Sequence, residues 1–583
     1  MGKKSRNKKP SPVGARFPEA AASSWPWIGG IFLLTLLMFG DLLFGGGSRV
    51  VGNQGTDLFA QFVGWREFGF RELARGNLAL WNPHIYGGAP YFGGFQAALL
   101  YPPNFVYLIL PLALAINWSV ALHVFMMGAF MFAWMKFRGL RNQAAFLAGA
   151  LMMFGGTHFP HIYAGHLPNL CSMVWAPLIF LATDGIFAQN VQPTAFHSQS
   201  VRWALLGMFA VAMQLLAGHP QYVFCTALAA GFYALLRLIH VKRRGIGVVL
   251  FATLYVCGSL LAAVQLFAGM QATEETIRNA SLPFEYAAMF GFPPENILTL
   301  VAPAFFGGLS WQHPYWGRCN LWEMSLFIGA TGLAFAVYGA LHCDKKTRWI
   351  AIAMVGVFSL LALGVHTPLF RLLYEYVPGF NKFRGMSKFT FPASLFLVLL
   401  AATGFDHVLR SRKIEPRFGL LVFLAAGVLL AAGLSVYLAS WHPVMKGILA
   451  TGESYLMPRA IDSKEFVAQA QVSSSNALFL AGATLAVLGG LLAALRKSPR
   501  ILHAILALAV AEVFLFAFNL RDTFDAASVA PPAAKNFLAE DPGDYRILNM
   551  TNANSALVLG AQDLWGNDPG VVRRYAEFMT WTQ

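Results

Sequence analysis

Long apolar runs recur along this chain, separated by polar segments or segments rich in Gly and Pro. A helix needs about 20 apolar residues to cross the roughly 30 Å hydrocarbon core of a membrane. Runs of about that length predict thirteen spans, at approximately 27–46, 117–137, 142–158, 168–187, 202–218, 220–240, 246–270, 323–343, 349–366, 387–408, 417–440, 476–496 and 500–519. A further apolar piece at 104–115 is short and bounded by proline, which predicts a re-entrant or interfacial segment.

The composition agrees with a membrane protein and excludes other classes. Hydrophobic residues make up 57% of the 583 residues and charged residues only 12%, whereas soluble domains carry roughly 25% charge. A water-soluble fold of this composition would expose large apolar patches. The five cysteines are scattered without a Cys-x-x-Cys pair, so neither a disulfide framework nor a zinc site is indicated. The predicted fold class is an all-α polytopic membrane protein of about 13 transmembrane helices with a small extracytoplasmic α/β C-terminal segment.

The net charge of +15 comes from an excess of Lys and Arg residues, and the positions of these residues along the chain indicate their role. With the N-terminus in the cytoplasm, the N-terminal segment and the short loops after every second span together hold 24 of the 42 Lys and Arg residues. This positive-inside distribution indicates orientation and contact with anionic lipid, not nucleic-acid binding. The chain then divides into a cytoplasmic basic tail (1–26), a transmembrane domain (27–519) and an extracytoplasmic segment (520–583), with the first span as a signal anchor.

The outer loops carry most of the polar chemistry. They cover 47–116, 271–322, 367–386 and 441–475, while the inner loops are short and basic and lack a phosphate-binding glycine motif. Any chemistry is therefore expected at the outer boundary between membrane and water.

Asp57, in the first outer loop, is the carboxylate that stands out. A carboxylate at this boundary can accept a proton from a hydroxyl group or bind a divalent cation. An equally weighted alternative is that Asp57 only caps a helix starting at Leu58, since Asp is a favoured N-cap residue.

The rest of this loop changes character along its length. Trp65 and Phe68 fall on one face of the segment 65–73, which predicts a short amphipathic helix in the headgroup layer. Dense Gly and Pro then predict irregular backbone, which at membrane depth is tolerated only against protein or a wet cavity. We therefore expect the loop to line a substrate cavity, the alternative being a solvated surface loop. The cavity residues predicted from it are Gln61, Trp81 and Asn82.

Histidines mark two of the predicted outer turns. His158, His161 and His166 fall in one turn, and His219 begins the next, followed by Gln221. Neighbouring turns of this kind can form a polar floor whose side chains donate hydrogen bonds. Three histidines can also bind a metal ion, but their spacing matches no recognised ligand pattern. We predict no metal site and no certain cofactor, with a divalent cation as the alternative.

Two later outer segments combine charges with aromatic residues. The cavity candidates in 271–322 are Glu274, Glu295 and Trp316, with Arg278 as a phosphate-binding candidate. In 374–391, Lys382, Arg384 and Lys388 alternate with aromatic residues just before a span. Arginine can bind a phosphate through two hydrogen bonds and lysine acts as a point charge, so this segment is a candidate lipid-phosphate site. The alternative is ordinary anchoring by snorkelling side chains.

Glu512 lies in the middle of the last predicted span. Ionisable groups inside a membrane are functional candidates by default. We expect interhelical hydrogen bonding from this residue, the alternative being a proton path.

An ordered set of motifs resembles a known family. Asp57-xxx-Gln61, Leu80-Trp81-Asn82-Pro83, Gly87-Gly88-Ala89-Pro90 and Tyr101-Pro102-Pro103-Asn104 are similar to the first outer loop of the bacterial YfhO-type membrane proteins. Gly218-His219-Pro220-Gln221, Pro293-Pro294-Glu295-Asn296-Ile297-Leu298 and Pro378-Gly379-Phe380…Phe383-Arg384 resemble further signatures, in the same order. The resemblance extends over about 30–583. It implies a GT-C-like glycosyltransferase of the bacterial cell membrane that takes sugars from polyprenyl-phosphate carriers.

Carried over by position, the resemblance implies that Asp57 is the family's first-loop acid. His219 and Gln221 match the second motif, Glu295 the third and Arg384 the fourth. Asp57 is not part of an Asp-x-Asp pair, which puts a metal in doubt. Family members tend to run on into a larger outer domain, so the chain is expected to be a short or truncated member.

The predicted function is transfer of a sugar from a polyprenyl-phosphate donor to an extracytoplasmic glycan or polymer, such as a teichoic-acid-like polymer. Asp57 would act as the base and Arg384 would bind the departing phosphate, with Arg278 or Lys388 assisting. A single base with direct displacement predicts inversion at the anomeric carbon. The alternatives are a transporter or flippase of a lipid-linked substrate and a scaffold for envelope assembly.

Overall fold

A computed structural model of the chain describes residues 23–189, 198–241, 244–277, 279–310, 313–450, 463–541 and 543–581. Most of the predicted basic tail and the candidate Arg278 lie outside these residues. The helices of the first half are α1 (Trp25–Phe44), α2 (Val63–Ala74), α3 (Leu112–Phe137), α4 (Asn142–Met153), α5 (Pro160–Tyr163), α6 (Leu167–Met173), α7 (Ala176–Gln189), α8 (Ser198–Leu216), α9 (Pro220–Leu238), α10 (Arg244–Leu261), α11 (Ala263–Glu274) and α12 (Phe284–Ala288).

The second half is helical as well. Its helices are α13 (Ala330–His342), α14 (Lys345–Ala362), α15 (Leu369–Tyr376), α16 (Thr390–Ser411), α17 (Pro416–Leu438), α18 (Trp441–Leu449), α19 (Lys464–Ala494), α20 (Ile501–Asn519), α21 (Pro532–Glu540), α22 (Ala556–Leu559) and α23 (Arg573–Trp581). Short strands form three two-stranded antiparallel sheets, β1 (Arg49–Val51) with β6 (Thr523–Asp525), β2 (Trp81–Asn82) with β3 (Ala89–Pro90), and β4 (Leu309–Ser310) with β5 (His313–Pro314).

The chain is a multi-pass helical membrane protein. Within the described ranges, nine helices are long and apolar enough to cross a membrane, namely Trp25–Phe44, Leu112–Phe137, Leu167–Ala188, Pro220–Leu238, Arg244–Leu261, Met386–Ser411, Pro416–Leu438, Lys464–Ala494 and Ile501–Asn519. The helix Lys464–Ala494 begins well before the predicted span 476–496, because residues of the predicted outer loop continue it.

Four other predicted spans coincide with shorter or more polar helices. Ser200–Leu216 and Ala330–His342 are apolar but short. Helix α4 has 12 residues, about 18 Å at the usual helical rise, which is less than the hydrocarbon core. Helix α14 has 18 residues but begins with Lys345 and Lys346. Thirteen crossings therefore stay a prediction.

Helices α13 and α16 approach each other closely at two glycines. A side-chain carbon placed on Gly339 would collide with the carbonyl oxygen of Leu400, and one placed on Gly404 would collide with that of Phe335. Small residues allow such close approach between membrane helices, where packing replaces the hydrophobic effect as the attractive force.

Glu512 connects α20 to the start of α13. Its two carboxylate oxygens accept hydrogen bonds from the backbone N–H groups of Ala330 and Thr331, at 2.6 and 3.0 Å. These are N–H groups that a helix leaves without an intrahelical partner at its N-terminus. The predicted interhelical hydrogen bonding is therefore confirmed, with backbone rather than side-chain donors.

At one end of the helices, which we call the basic end, ion pairs and hydrogen bonds of two aspartates join several helices. Asp184 on α7 accepts ion-pair contacts of 2.8 Å from both Arg138 and Arg237. Asp406 on α16 pairs with Arg410 and accepts a hydrogen bond from the backbone N–H of Arg141 at 2.8 Å.

At the opposite end, which we call the site end, loops from the two halves of the chain meet. The backbone N–H of Gly156 donates to the carbonyl of Phe327 at 2.7 Å. Gly52 donates in the same way to Asp522 at 2.9 Å. Asp57, the histidine turns and the start of α16 belong to this end. Which end faces the cytoplasm stays a prediction.

The first outer loop and the residues after α20 fold against each other. Strand β1 pairs with β6 in the register Arg49–Asp525, and Asn53 donates a hydrogen bond to Asp522 at 2.7 Å. The hydroxyl of Tyr86 donates to the carbonyl of Gly566 at 2.8 Å. Within the predicted α/β C-terminal segment, Ile547 forms an isolated β-bridge with Asp563.

The predicted helix over 65–73 is present as α2, but its surroundings differ from the expectation. Trp65, Phe68 and the charged Arg66 are all buried, so α2 packs inside the protein rather than lying in a headgroup layer. Arg66 is accommodated because it donates hydrogen bonds to the carbonyls of Gln96 and Ala97, at 3.0 and 2.5 Å.

Candidate functional site

Asp57 stands at the beginning of a short π-helix, Leu58–Phe62, beside the turn that carries His166. Its backbone N–H donates to the carbonyl of Ala164 at 3.2 Å. Gly165 makes this approach possible, because it has φ +69° and a side-chain carbon there would collide with the backbone of Leu58. The Asp57 side chain makes no capping hydrogen bond, so the N-cap alternative does not describe it.

The Asp57 carboxylate is half-exposed and faces a histidine. Oδ2 lies 3.3 Å from Nε2 of His166, whose own side chain is largely buried. That separation is slightly longer than a typical N–H···O hydrogen bond, as is common for catalytic contacts before a substrate binds.

A chain of ring contacts continues from His166 into the protein. Nδ1 of His166 lies 2.9 Å from Nδ1 of His161 and accepts from the Asn169 amide at 3.3 Å. Nε2 of His161 lies 3.0 Å from the hydroxyl of Tyr222 on α9. His219 caps α9 by accepting from the backbone N–H of Tyr222 at 3.2 Å. The predicted polar floor of histidines is therefore a connected network.

Arg384 approaches the same region from the segment before α16. Its guanidinium lies over the rings of Tyr286 and Phe290, 4.7 and 5.1 Å from their centroids. The Gln221 amide donates to the Arg384 carbonyl at 2.5 Å, which ties this segment to the start of α9. Among the described residues, no carboxylate forms an ion pair with Arg384.

Lys388 is held by a carboxylate that the sequence analysis did not single out. Nζ of Lys388 lies 2.6 Å from Oε1 of Glu323, and the two side chains are only 10% and 7% exposed. Trp322, next to Glu323, places its ring edge-on to His166 with the centroids 6.0 Å apart.

The charges of the site act on one another. Burial would raise the pKa of Asp57, but the His166 imidazole and then the charges of Arg384 and Lys388 outweigh burial and hold this pKa below its ordinary value. In the same way, burial would raise the pKa of Glu323, but Lys388 lowers it most strongly among the surrounding groups. Both carboxylates are therefore ionised at neutral pH.

The two deeper histidines are neutral for the opposite reason. Burial depresses the pKa of His161 well below its ordinary value, and the charge of Lys388 adds to this. Burial and Lys388 act on the pKa of His219 in the same direction. Neutral imidazole rings can accept hydrogen bonds as well as donate them.

Not all of the predicted cavity residues meet at this place. Gln61 is buried and donates to Gln96 at 3.0 Å. Trp81 and Asn82 belong to the β2–β3 hairpin, where Asn82 Oδ1 accepts from the backbone N–H of His84 at 2.9 Å. In the described part of the chain, no hydrogen bond or ion pair joins these three residues to Asp57.

The candidates from 271–322 are placed elsewhere as well. The exposed Glu274 ends α11, and its carbonyl accepts from Arg573 at 3.4 Å. Glu295 forms a two-point ion pair with the buried Arg318, at 2.6 and 3.0 Å. Trp316 is fully buried in an aromatic core with Phe305 and Trp441, so it does not line a cavity surface.

Sequence reasoning missed Glu323, Asn169 and Tyr222. Glu323 had a signal, since it is an acid at the edge of a predicted span, where a buried carboxylate requires a partner. Asn169 and Tyr222 lie within predicted spans, and only the fold shows that they reach the histidines. In the described ranges, no group of three or more His, Cys, Asp or Glu side chains is arranged to hold a metal ion.

Fold and site together define a multi-pass helical membrane protein whose loops gather an ionised carboxylate, linked histidines and two cations at one end. Two solved structures are similar to it, ArnT from Cupriavidus metallidurans bound to undecaprenyl phosphate and the same protein in the apo state. Each is 14% identical with a TM-score of 0.47; the first match covers 96% of this chain and 88% of the other, and the second 93% and 86%. No protein-family model and no curated protein matches the sequence.

Proposed function

We propose that this protein is a membrane glycosyltransferase that moves a sugar from a polyprenyl-phosphate carrier to an extracytoplasmic acceptor. The observation that carries the proposal is the half-exposed Asp57 carboxylate, which faces His166 and lies at the same end of the protein as Arg384 and Lys388, whose charges lower its pKa. A carboxylate and a cation in one place supply the two groups that sugar transfer from a phosphate requires, a base and a stabiliser of the leaving group.

In the proposed reaction, Asp57 removes the proton of an acceptor hydroxyl as its oxygen bonds to the anomeric carbon. The bond from that carbon to the phosphate oxygen breaks, and the electron pair leaves with the polyprenyl phosphate. A single direct displacement by the acceptor hydroxyl, assisted by one base, inverts the anomeric configuration.

Arg384 is the better placed cation to receive the phosphate. Lys388 is already paired with Glu323, whereas no carboxylate of the described residues engages the Arg384 guanidinium. The rings of Tyr286 and Phe290 hold that guanidinium in place and leave its N–H groups for a ligand. A fixed guanidinium can bind a phosphate through two parallel hydrogen bonds.

The acceptor in this proposal is a cell-envelope polymer of the teichoic-acid kind, following the resemblance to the YfhO-type proteins. The site of Asp57 and Arg384 lies at the predicted outer face of the membrane, where such polymers are found. The contacts described above connect residues of three motifs at the site end. Asp57 is linked through the histidines and Tyr222 to His219, and Gln221 binds the backbone of Arg384.

The proposal is tested by separating binding from chemistry. The protein in lipid nanodiscs is titrated with undecaprenyl phosphate by native mass spectrometry, then incubated with undecaprenyl-phosphate sugars and envelope polymer. We expect Arg384→Ala to weaken binding of undecaprenyl phosphate at least tenfold, since one charge-assisted pair is worth about 1.5–3 kcal/mol. Asp57→Asn should bind within twofold of the wild type but transfer about 10²- to 10⁴-fold more slowly.

The matched controls are Glu285→Gln and Arg371→Ala, which remove an exposed acid and an exposed arginine on neighbouring helices. Both should behave as the wild type. Full transfer by Asp57→Asn would overturn the assignment of the base. Binding of the carrier lipid, with lipid-linked sugar moved across vesicles but never cleaved, would favour a transporter instead.

A further inference from the structure

The nitrogen atoms of His166 have different partners, and this determines where its proton lies. Nε2 faces Asp57, while Nδ1 receives the Asn169 amide at 3.3 Å. Because the amide nitrogen can only donate, Nδ1 of His166 is the acceptor of this pair. A neutral His166 then carries its proton on Nε2, pointing toward the carboxylate.

The second contact of Nδ1 is compatible with the same arrangement, in which His161 and the Asn169 amide share the lone pair of that nitrogen. Nδ1 of His161 lies 2.9 Å from Nδ1 of His166, so one of the two nitrogens must carry the proton. If His161 carries it, then Nε2 of His161 is an acceptor, and the hydroxyl of Tyr222 at 3.0 Å donates to it. Each hydrogen bond in the series from Tyr222 through His161 to His166 then contains one proton, and the Tyr222 hydroxyl has an acceptor.

We propose that His166 is a positioning residue for Asp57 and that its contacts with Asn169 and His161, supported by Tyr222, keep its proton on Nε2. It engages Oδ2 of Asp57 and leaves Oδ1 to face the acceptor hydroxyl. This role rests on the proposed function, but the proton arrangement itself exists in the resting protein.

Other titratable and charged groups surround both Asp57 and His166. Asp57 is faced by His166 and, at longer range, by Arg384 and Lys388. His166 is faced by Asp57, by the neutral His161 and His219, and by the carboxylate of Glu323. Removing His166 leaves the cations near Asp57 in place, so its effect on Asp57 can be measured separately from theirs.

The resting arrangement is tested by NMR on protein labelled with ¹⁵N-histidine in nanodiscs, without any substrate. The signals lost in His166→Gln identify His166, and His240→Gln is the control for an exposed histidine at the basic end. We expect Nε2 to carry the proton and Nδ1 to be unprotonated, with a shift of the proton toward Nδ1 in Asn169→Ala. A proton on Nδ1 in the unsubstituted protein would overturn the proposal.

The effect on Asp57 is tested with ¹³C-aspartate labelling, again without substrate. His166→Ala should raise the Asp57 titration midpoint by roughly one pH unit, the usual size of a protein-induced shift. His166→Gln, which keeps an N–H donor at the position of Nε2, should restore part of the difference. An unchanged midpoint in His166→Ala in a folded protein would overturn the positioning role.

Transfer kinetics distinguish this inference from the proposed function. If sugar transfer occurs, the acidic limb of kcat/KM should move to higher pH in His166→Ala and part of the way back in His166→Gln. If no transfer occurs, the two NMR results still decide the proton arrangement. A purely structural role would reduce the amount of active protein without moving the limb.

Discussion

Lys388 and Glu323 are a buried ion pair whose two charges depend on each other. Neither side chain is more than 10% exposed, so removal of one partner leaves the other charge without compensation in a low dielectric. Because Lys388 is paired with Glu323, it is less available to bind a phosphate, and we therefore assign phosphate binding to Arg384.

We expect Glu323→Gln to destabilise the protein by about 3 kcal/mol, because breaking a buried pair costs more than replacing both partners. The double variant Glu323→Gln/Lys388→Met should recover most of this loss. Thermal unfolding in detergent measures both. Equal destabilisation of the single and double variants would show that the charge of Lys388 is not the cause.

The same pair has a predictable pH dependence. The pKa of Glu323 is lowered in the folded protein, so the pair contributes stability above the ordinary glutamate pKa of about 4.3. This contribution is lost as the pH falls through the lowered value. The stability difference between wild type and Glu323→Gln should therefore be constant from pH 7 to pH 5 and shrink below pH 4.

Single residues differ in how far the sequence can predict them. Asp57 and Arg384 stand out because each is a charge in a long loop next to a predicted span. Glu295 is likewise a charge in an outer loop, and Trp316 is an aromatic residue of the same loop, yet Trp316 lies in the core and Glu295 pairs with Arg318. A position in an outer loop predicts that a residue lies near the membrane boundary. It does not predict which loop residues the fold brings together.

Elements were more predictable than contacts, because the membrane requires long apolar helices whatever their neighbours. The runs around α1, α3, α17 and α20 predict their helices directly. The burial of α2 was not predictable, since the alternation of charge and aromatic residues in it also suits a helix in the headgroup layer. The carbonyls that accommodate Arg66 come from residues 30 and 31 positions later, which local patterns do not contain.

The close crossing of α13 and α16 leads to a prediction at the scale of elements. Gly339→Ala should push the helices apart, because its added carbon would occupy the position of the Leu400 carbonyl. We expect a loss of at least 1–3 kcal/mol, the usual cost of overpacking, measured as a lower Tm in detergent.

Gly356→Ala on α14 is the matched control. A side-chain carbon at Gly356 has no atom within 4 Å, and alanine favours helix over glycine by about 1 kcal/mol. This variant should be as stable as the wild type or slightly more stable. A Gly339→Ala protein with an unchanged Tm would contradict the close crossing.

At the scale of the whole molecule, the two ends differ in kind. Arginines and aspartates at the basic end form closed ion pairs, while the site end keeps a half-exposed carboxylate and a guanidinium without a carboxylate partner among the described residues. The first arrangement suits fixing helices, and the second suits binding a charged ligand. The sequence predicted this division from loop charge and loop length.

Orientation is tested by labelling two introduced cysteines in intact cells with a membrane-impermeant maleimide. Glu285→Cys lies at the site end and should react, whereas Lys413→Cys, exposed between α16 and α17, should react only after lysis. The unsubstituted chain gives the background from its five cysteines. The reverse result would place Asp57 in the cytoplasm and remove the extracytoplasmic acceptor.

The pairing of β1 with β6 has a consequence for biosynthesis. Strand β1 directly follows α1 and strand β6 directly follows α20, and Asp41 at the end of α1 pairs with Arg521. Translation must therefore extend beyond α20, to residues 521–525, before the loop that carries Asp57 can make these contacts. Until then, that loop lacks the strand and the arginine that secure it in the folded protein.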